Sequence, residues 1–217
     1  MLKLAASIMC ANQIELYNEL KKLEEAKIDL LHCDVMDGIF VNNLAMGPYV
    51  LEAIKKYTNI PLDIHLATVN PEKYIKMYGY LKPEYISFHI EASENVERDI
   101  SLLREYGIKP ALAISPETPV EKIEKYLSMV DMILMMTVDP GFAGQKFRYE
   151  VLDKIDKLNE MLKKGAKRPE IEVDGCINSI TMEHLKNRNV DIYVLGTSAL
   201  FNNNGISFKD KATKLRA

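Results

Sequence analysis

The chain has 217 residues, 47 % hydrophobic and 27 % charged, with a formal net charge of −3 at pH 7. That length suits one barrel-sized domain with a substantial core. Charge this balanced, with no basic stripe or polybasic tail, excludes nucleic acid and a membrane surface as partners, and no apolar run approaches the roughly 18 residues of a membrane span.

The opening residues turn polar too soon for a secretory signal. Cys10, Cys33 and Cys176 are odd in number and lack metal-type spacing, which fits a reducing cytoplasm. Apolar, β-rich runs then alternate with amphipathic helical stretches down the whole chain. Spacing predicts strands over 3–7, 30–34, 62–66, 85–89, 110–114, 132–137, 171–174 and 192–195. The intervening helices are expected over 13–26, 48–57, 71–78, 96–106, 119–127, 151–164 and 179–188, with a last one over 207–216. Pro71 and Pro119 suit first helical turns, with Asn70 and Thr118 as cap candidates. Eight strand–helix pairs without a break in composition give a (β/α)8 TIM barrel, a single α/β domain over 1–217. An open doubly wound sheet would need a glycine-rich turn after its first strand, which this chain lacks.

In such a barrel the strand C-termini converge on one face. The run His32-Cys33-Asp34-Val35-Met36-Asp37-Gly38 stands at one of these ends, and alternation puts His32, Asp34 and Met36 on one side. Cys33 then faces the outer helices. Asp63-Ile64-His65-Leu66 and Glu172-Val173-Asp174-Gly175 end two further apolar runs. Period two turns Ser87 inward with His89, and Glu172 inward with Asp174. Singly, a histidine here would be a core residue and an aspartate a helix cap. Four at converging strand ends, His32, Asp34, His65 and Asp174, suit one divalent transition metal: Zn, Co, Mn or Fe. Met36 and Met136 sit at inward strand ends, as core filler or as an apolar lining that keeps water from a reactive intermediate. His184 lies in a polar helix and is expected at the surface.

Thr137-Val138-Asp139-Pro140-Gly141-Phe142-Ala143-Gly144-Gln145 follows the sixth predicted strand. Alone it is an ordinary turn. With Asp174-Gly175 and Gly196-Thr197-Ser198 after the next two strands, and a short helix expected near 198–201, it predicts a phosphate site of backbone N–H groups.

Taken together, these segments resemble the ribulose-phosphate 3-epimerase family over nearly the whole chain. The family pattern His-x-Asp-x-Met-Asp-Gly-x-Phe-Val appears at His32 to Val41, Asp-x-His-Leu at Asp63 to Leu66, the phosphate loop at Val138 to Gln145, and Glu-Val-Asp-Gly at Glu172 to Gly175. The resemblance implies metal-dependent C3 epimerisation of a phosphorylated ketose. It makes Asp34 and Asp174 the acid–base pair as well as metal ligands beside His32 and His65, and has His65 contact substrate. Ser7 matches a substrate-contacting serine. Gly141, Phe142, Ala143, Gly144, Gly175, Gly196, Thr197 and Ser198 match phosphate contacts. A cytoplasmic homo-oligomer, dimer or hexamer, is also implied. Asp139, Ala143, Cys176-Ile177-Asn178 and the run Gly196 to Asn202 look more like the D-allulose-6-phosphate branch, which is the favoured expectation. D-Ribulose 5-phosphate is the alternative substrate, and a non-catalytic sugar-phosphate binder the remote one. Ala6, Asn42 and Ala67 depart from the family pattern; Ala67 replaces a methionine of the lining and is expected to leave room for a longer sugar or water. A decarboxylase barrel would carry an essential lysine at a strand end, and no lysine falls at a predicted inward site.

Overall fold

In the computed structural model, which describes residues 2–163, 165 and 167–217, eight parallel strands close into a barrel. They are β1 (Lys3–Ser7), β2 (Leu30–Asp37), β4 (Leu62–Ala67), β5 (Tyr85–His89), β6 (Lys109–Ile114), β7 (Met132–Met136), β8 (Glu170–Asp174) and β9 (Ile192–Leu195). β1 pairs with both β9 and β2, which closes the ring. The short β3 (Leu44–Ala45), absent from the predicted elements, pairs antiparallel with the end of β2. That pairing carries β2 three residues past its expected end at Asp34.

Alternation along the strands divides the apolar residues into two populations. Leu31, Cys33 and Val35 of β2, Ile64 and Leu66 of β4, and Ile133 and Met135 of β7 join the large core between barrel and helices. Ala5, Leu30, Tyr85, Ala111, Met132, Ile192 and Val194 fill the barrel interior below the site. Small Ala5 and Ala111 share that layer with bulky Tyr85 and Met132, so the interior is a packed core. Tyr85 and Lys3 both bond Glu170 at the floor of the barrel.

The outer layer holds α1 (Leu16–Glu25), α2 (Pro48–Tyr57), α3 (Pro71–Tyr78), α4 (Val96–Glu105), α5 (Val151–Leu162), α6 (Ser179–Leu185) and α7 (Phe208–Arg216). In α5, Val151, Ile155, Leu158 and Leu162 are buried at helical spacing. Its expected end, Lys164, lies outside the described residues. Residues 13–15 form a 3₁₀ turn ahead of α1. The helix expected over 119–127 is a 3₁₀ helix, Val120–Tyr126, because its buried residues Val120, Ile123 and Tyr126 recur every third position. Neither expected cap acts as one: Asn70 sits in the left-handed region and makes no capping bond, and Pro119, not Thr118, precedes the 3₁₀ helix. The short helix expected near 198–201 is a run of turns in which Ala199 and Phe201 both donate to the Gly196 carbonyl. Among the described residues, no helix is long and apolar enough to cross a membrane.

The chain leaves β8 through Gly175 at φ +123°, and a Cβ there would stand 2.5 Å from a Val138 methyl and 2.8 Å from the Val138 backbone nitrogen. The loops after β7 and β8 therefore touch through backbone. Gly175→Ala should destabilise the fold by about 1–3 kcal/mol, lowering the melting temperature by roughly 2–4 °C per kcal/mol for a chain of this size. An unchanged thermal transition would contradict this close approach.

Candidate active site

Register between neighbouring strands assembles the site. β2 and β4 pair with His32 opposite Asp63 and Asp34 opposite His65, while Met136 of β7 lies opposite Asp174 of β8. Because side chains one residue apart face opposite ways, all of these inward positions share the barrel axis. One donor atom each from His32, Asp34, His65 and Asp174 lies within 4.8 Å of the others, so these four could hold a metal ion.

His32 is fully buried. Its Nδ1–H donates to Asp63 Oδ2 at 2.6 Å, which aims Nε2 upward, 3.6 Å from Asp34 Oδ1 and 3.9 Å from Asp174 Oδ2. That Nε2 has no hydrogen-bond partner. His65 presents Nδ1 to Asp34 Oδ1 at 3.2 Å, and Ser7 Oγ donates to Asp34 Oδ2 at 3.3 Å. Donors on a tetrahedral zinc ion stand roughly 3.4 Å apart. An orphaned buried nitrogen, a second imidazole and two carboxylates at such separations fit a divalent transition metal.

The two carboxylates hold protons differently. Burial works to raise the Asp34 carboxyl, but the His32 and His65 imidazoles override it and hold the group well below the usual carboxylate range. Burial, reinforced by the charges of Asp34 and Asp63 against the pull of His32, pushes Asp174 up to about 7. Below them Glu172 is fully buried with neither oxygen bonded. Its desolvation and the nearby Asp63 raise it well above the ordinary value. The site thus places an ionised carboxylate beside a carboxyl pushed towards holding its proton, within one small space.

That space is a cavity of about 230 Å³ lined by Ser7, Asp34, Met36, His65, Met136 and Asp174 on the barrel side. Gly141, Phe142, Ala143, Gly144, Gly175, Gly196, Thr197 and Ser198 line it from the loops. Every expected site residue reaches the cavity except His32, which lies sealed beneath it. Among the described residues no lysine or arginine lines the cavity, so an anion there would be met by backbone N–H groups. The loops are tied together: Ser198 Oγ donates to the Ile177 carbonyl at 2.8 Å, and Gln145 Nε2 to the Asp139 and Phe142 carbonyls at 2.6 and 2.9 Å. Asn43, from the arm after β2, donates to the Gly141 carbonyl at 2.7 Å.

Ala67 corrects one expectation. It is fully buried and packs with Met36 and Val41, with Met9 and Phe40 against them, and it does not line the cavity. The missing methionine is thus made good by neighbours, and no added room opens there. Cys33 is buried among the outer core and His184 is exposed, both as expected.

Several residues around the site escape sequence reasoning. Asp63 had a signal, its two-residue spacing from His65. Asp37 had one in Asp37-Gly38: its carboxylate accepts from the backbone N–H groups of Ile39, Phe40 and Val69 and anchors the turn at the barrel mouth. Asn43, Glu91 and Arg148 act through contacts 98, 24 and 31 residues away along the chain, which no local pattern announces.

A sequence model of the ribulose-phosphate 3-epimerase family matches residues 3–201. The ribulose-phosphate 3-epimerase of Bacillus subtilis (strain 168) is 40 % identical over 199 residues, covering 91 % of this chain and 92 % of that protein. The enzyme of the same name from Helicobacter pylori (strain ATCC 700392 / 26695) is 38 % identical over 196 residues, covering 90 % and 89 %. Among solved structures, a mutant tryptophan synthase alpha-subunit from Pyrococcus furiosus superposes with a TM-score of 0.68 at 11 % identity, covering 99 % of this chain and 96 % of that one. That last likeness is one of fold alone. A match running from the first strand to the last, with relatives near 40 % identity, means that the chain belongs to the ribulose-phosphate 3-epimerase family, a family of isomerases.

Proposed function

We propose that the chain interconverts D-ribulose 5-phosphate and D-xylulose 5-phosphate by epimerisation at C3. Asp34 and Asp174 are the proton-transferring pair, and His32, Asp34, His65 and Asp174 hold one divalent transition metal. The observation that carries this reading is geometric: the carboxylates of Asp34 on β2 and Asp174 on β8 meet, with His32 and His65, at one small cavity.

Epimerising a carbon beside a ketone requires a proton to leave one side and a proton to return on the other. One base cannot easily serve both sides, so two carboxylates across the sugar suit the task. Asp34, kept unprotonated beside its two imidazoles, is the carboxylate available to take the proton; Asp174 is the one placed to give a proton, and in reverse they exchange parts. A divalent cation, when bound, supplies Lewis-acid neutralisation of the charge that develops on the sugar's C2 and C3 oxygens. Ser7 keeps Asp34 oriented and lies within reach of the sugar. Met36 and Met136 exclude water from the reacting carbon. Backbone N–H groups of Gly141 to Gly144, Gly175 and Gly196 to Ser198 hold the phosphate, and that remote binding fixes C3 between the carboxylates. The family resemblance also implies a cytoplasmic homo-oligomer.

The relatives' names support the pentulose over D-allulose 6-phosphate, and so does the closed packing at Ala67. Two of the residues that lean towards the hexulose branch also have structural partners. Asp139 is exposed and pairs with Arg148 Nη1 at 2.8 Å. Asn178 caps α6 in a capping box with Thr181. A non-catalytic binder would be free to lose a carboxylate or an imidazole of the set, and all four are present.

The ratio of kcat/KM for D-ribulose 5-phosphate to that for D-allulose 6-phosphate should exceed about tenfold, the scale on which one carbon unit is discriminated; a tenfold preference for the hexulose would reverse the substrate. Asp174→Asn should slow exchange of the C3 proton with solvent deuterium by about 10²- to 10⁴-fold while calorimetry still shows sugar-phosphate binding. Exchange at the wild-type rate would remove Asp174 from the proton path.

A further inference from the structure

His65 has two sides, and only one faces the cavity. Nδ1 points at Asp34, and Nε2 lies 2.9 Å from Nε2 of His89. Two imidazole nitrogens at that distance bond only if one carries a proton and the other does not. His89, fully buried at the end of β5, has Nδ1 3.1 Å from Glu91 Oε2 and 3.3 Å from Ser115 Oγ. The Phe40 ring packs on it at a centroid distance of 4.7 Å. The Glu91 carboxylate can only accept, so His89 Nδ1 carries the proton. A neutral imidazole has one proton, which leaves His89 Nε2 bare.

We propose that Glu91, acting through His89, keeps a proton on His65 Nε2, so that Nδ1 is the nitrogen left to face Asp34 and to give up its own proton when a metal ion takes that position. The inference rests on the metal reading above and names His89 and Glu91 as positioning residues. Orientation of a ligand imidazole by a partner on its far nitrogen is a general device of metal sites. His32 has the same kind of partner in Asp63, with the opposite nitrogen left free. Glu91 is itself fixed. Its Oε1 accepts from the Ser115 backbone N–H at 2.9 Å. The turn that follows is pinned by Lys154, whose Nζ donates to the carbonyls of Ser115, Pro116 and Thr118 at 2.6, 3.3 and 2.9 Å. A rigid line of contacts thus runs from α5 to the metal-facing nitrogen of His65.

The chain has four histidines, few enough for nitrogen-resolved NMR of the metal-free, ¹⁵N-labelled full chain. Protons are expected on His65 Nε2 and His89 Nδ1 and none on His89 Nε2; a proton on His89 Nε2 overturns the proposal without any variant. Glu91→Gln offers one accepting oxygen where two donors were served. It should move the proton to His89 Nε2 and weaken Co²⁺ uptake, followed by the visible absorption of the ion, by about 10- to 100-fold. His89→Gln keeps an acceptor for His65 and should stay within about threefold of wild type, whereas His89→Leu should lose at least about tenfold. Equal losses in the Gln and Leu variants at position 89, or wild-type affinity in Glu91→Gln, would contradict the assignment. A wild-type chain that takes up no Co²⁺ defeats the metal reading, while the tautomer measurement still decides this one.

Discussion

The hydrogen-bonded register between β2 and β4 is the constraint on which the rest depends. It sets Asp34 beside His65 and His32 beside Asp63. A slip of one residue in either strand would turn its two polar side chains, His32 and Asp34 or Asp63 and His65, into the apolar layer under the helices. What prevents the slip is the outward set of the same strands: Leu31, Cys33, Val35, Ile64 and Leu66 are all buried in the outer core. Hydrophobic burial on one face thereby fixes the position of charged groups on the other. Core packing thus sets where the site's side chains stand, and hydrogen bonds such as that from His32 to Asp63 set how they point.

The interior so built holds more acid than base. Asp34, Asp63, Glu172 and Asp174 crowd around His32, with His65 above. Groups this deeply buried tolerate charge only when it is paired. The molecule meets this in three ways. His32 is driven towards its charged form by Asp63 and Asp34, which outweigh its burial. Glu172 and Asp174 are pushed towards holding protons. The remaining excess of negative charge faces the orphaned nitrogen of His32 at a spacing a cation fills. The same crowding that would suit a metal also separates the proton affinities of the two carboxylates, so the proposed metal binding and proton transfer share one electrostatic origin.

Barrel, strand ends and inward-facing residues were legible in the sequence because period-two alternation and the 3.6-residue repeat are local signals. The match of β1, β5 and β9 to their expected bounds, and of α2 and α3 to theirs, shows how far such signals reach. The segment Val120–Tyr126 misled because a three-residue repeat closely resembles a helical one over two turns. The arm through Asn43 and the anchor of Glu91 at Ser115 were hidden because their partners are distant in sequence. Ala67 was misjudged for a related reason. The volume a side chain vacates depends on what packs in from other elements, here Phe40 and Met9, and a single sequence does not carry that information. The four side chains proposed to hold a metal were readable as candidates since each falls in the last part of a predicted strand; the residues that contact their far sides were not.

The central claim is that four strand-end side chains converge on one cation between the two proton-transferring carboxylates. Anomalous scattering from crystals of the zinc-loaded protein tests it most directly. One peak is predicted, within bonding distance of His32 Nε2, His65 Nδ1 and a carboxylate oxygen of each of Asp34 and Asp174. A peak instead among His32, Asp63 and Glu172, the other group among the described residues able to hold an ion, or no peak inside the barrel, would contradict the account.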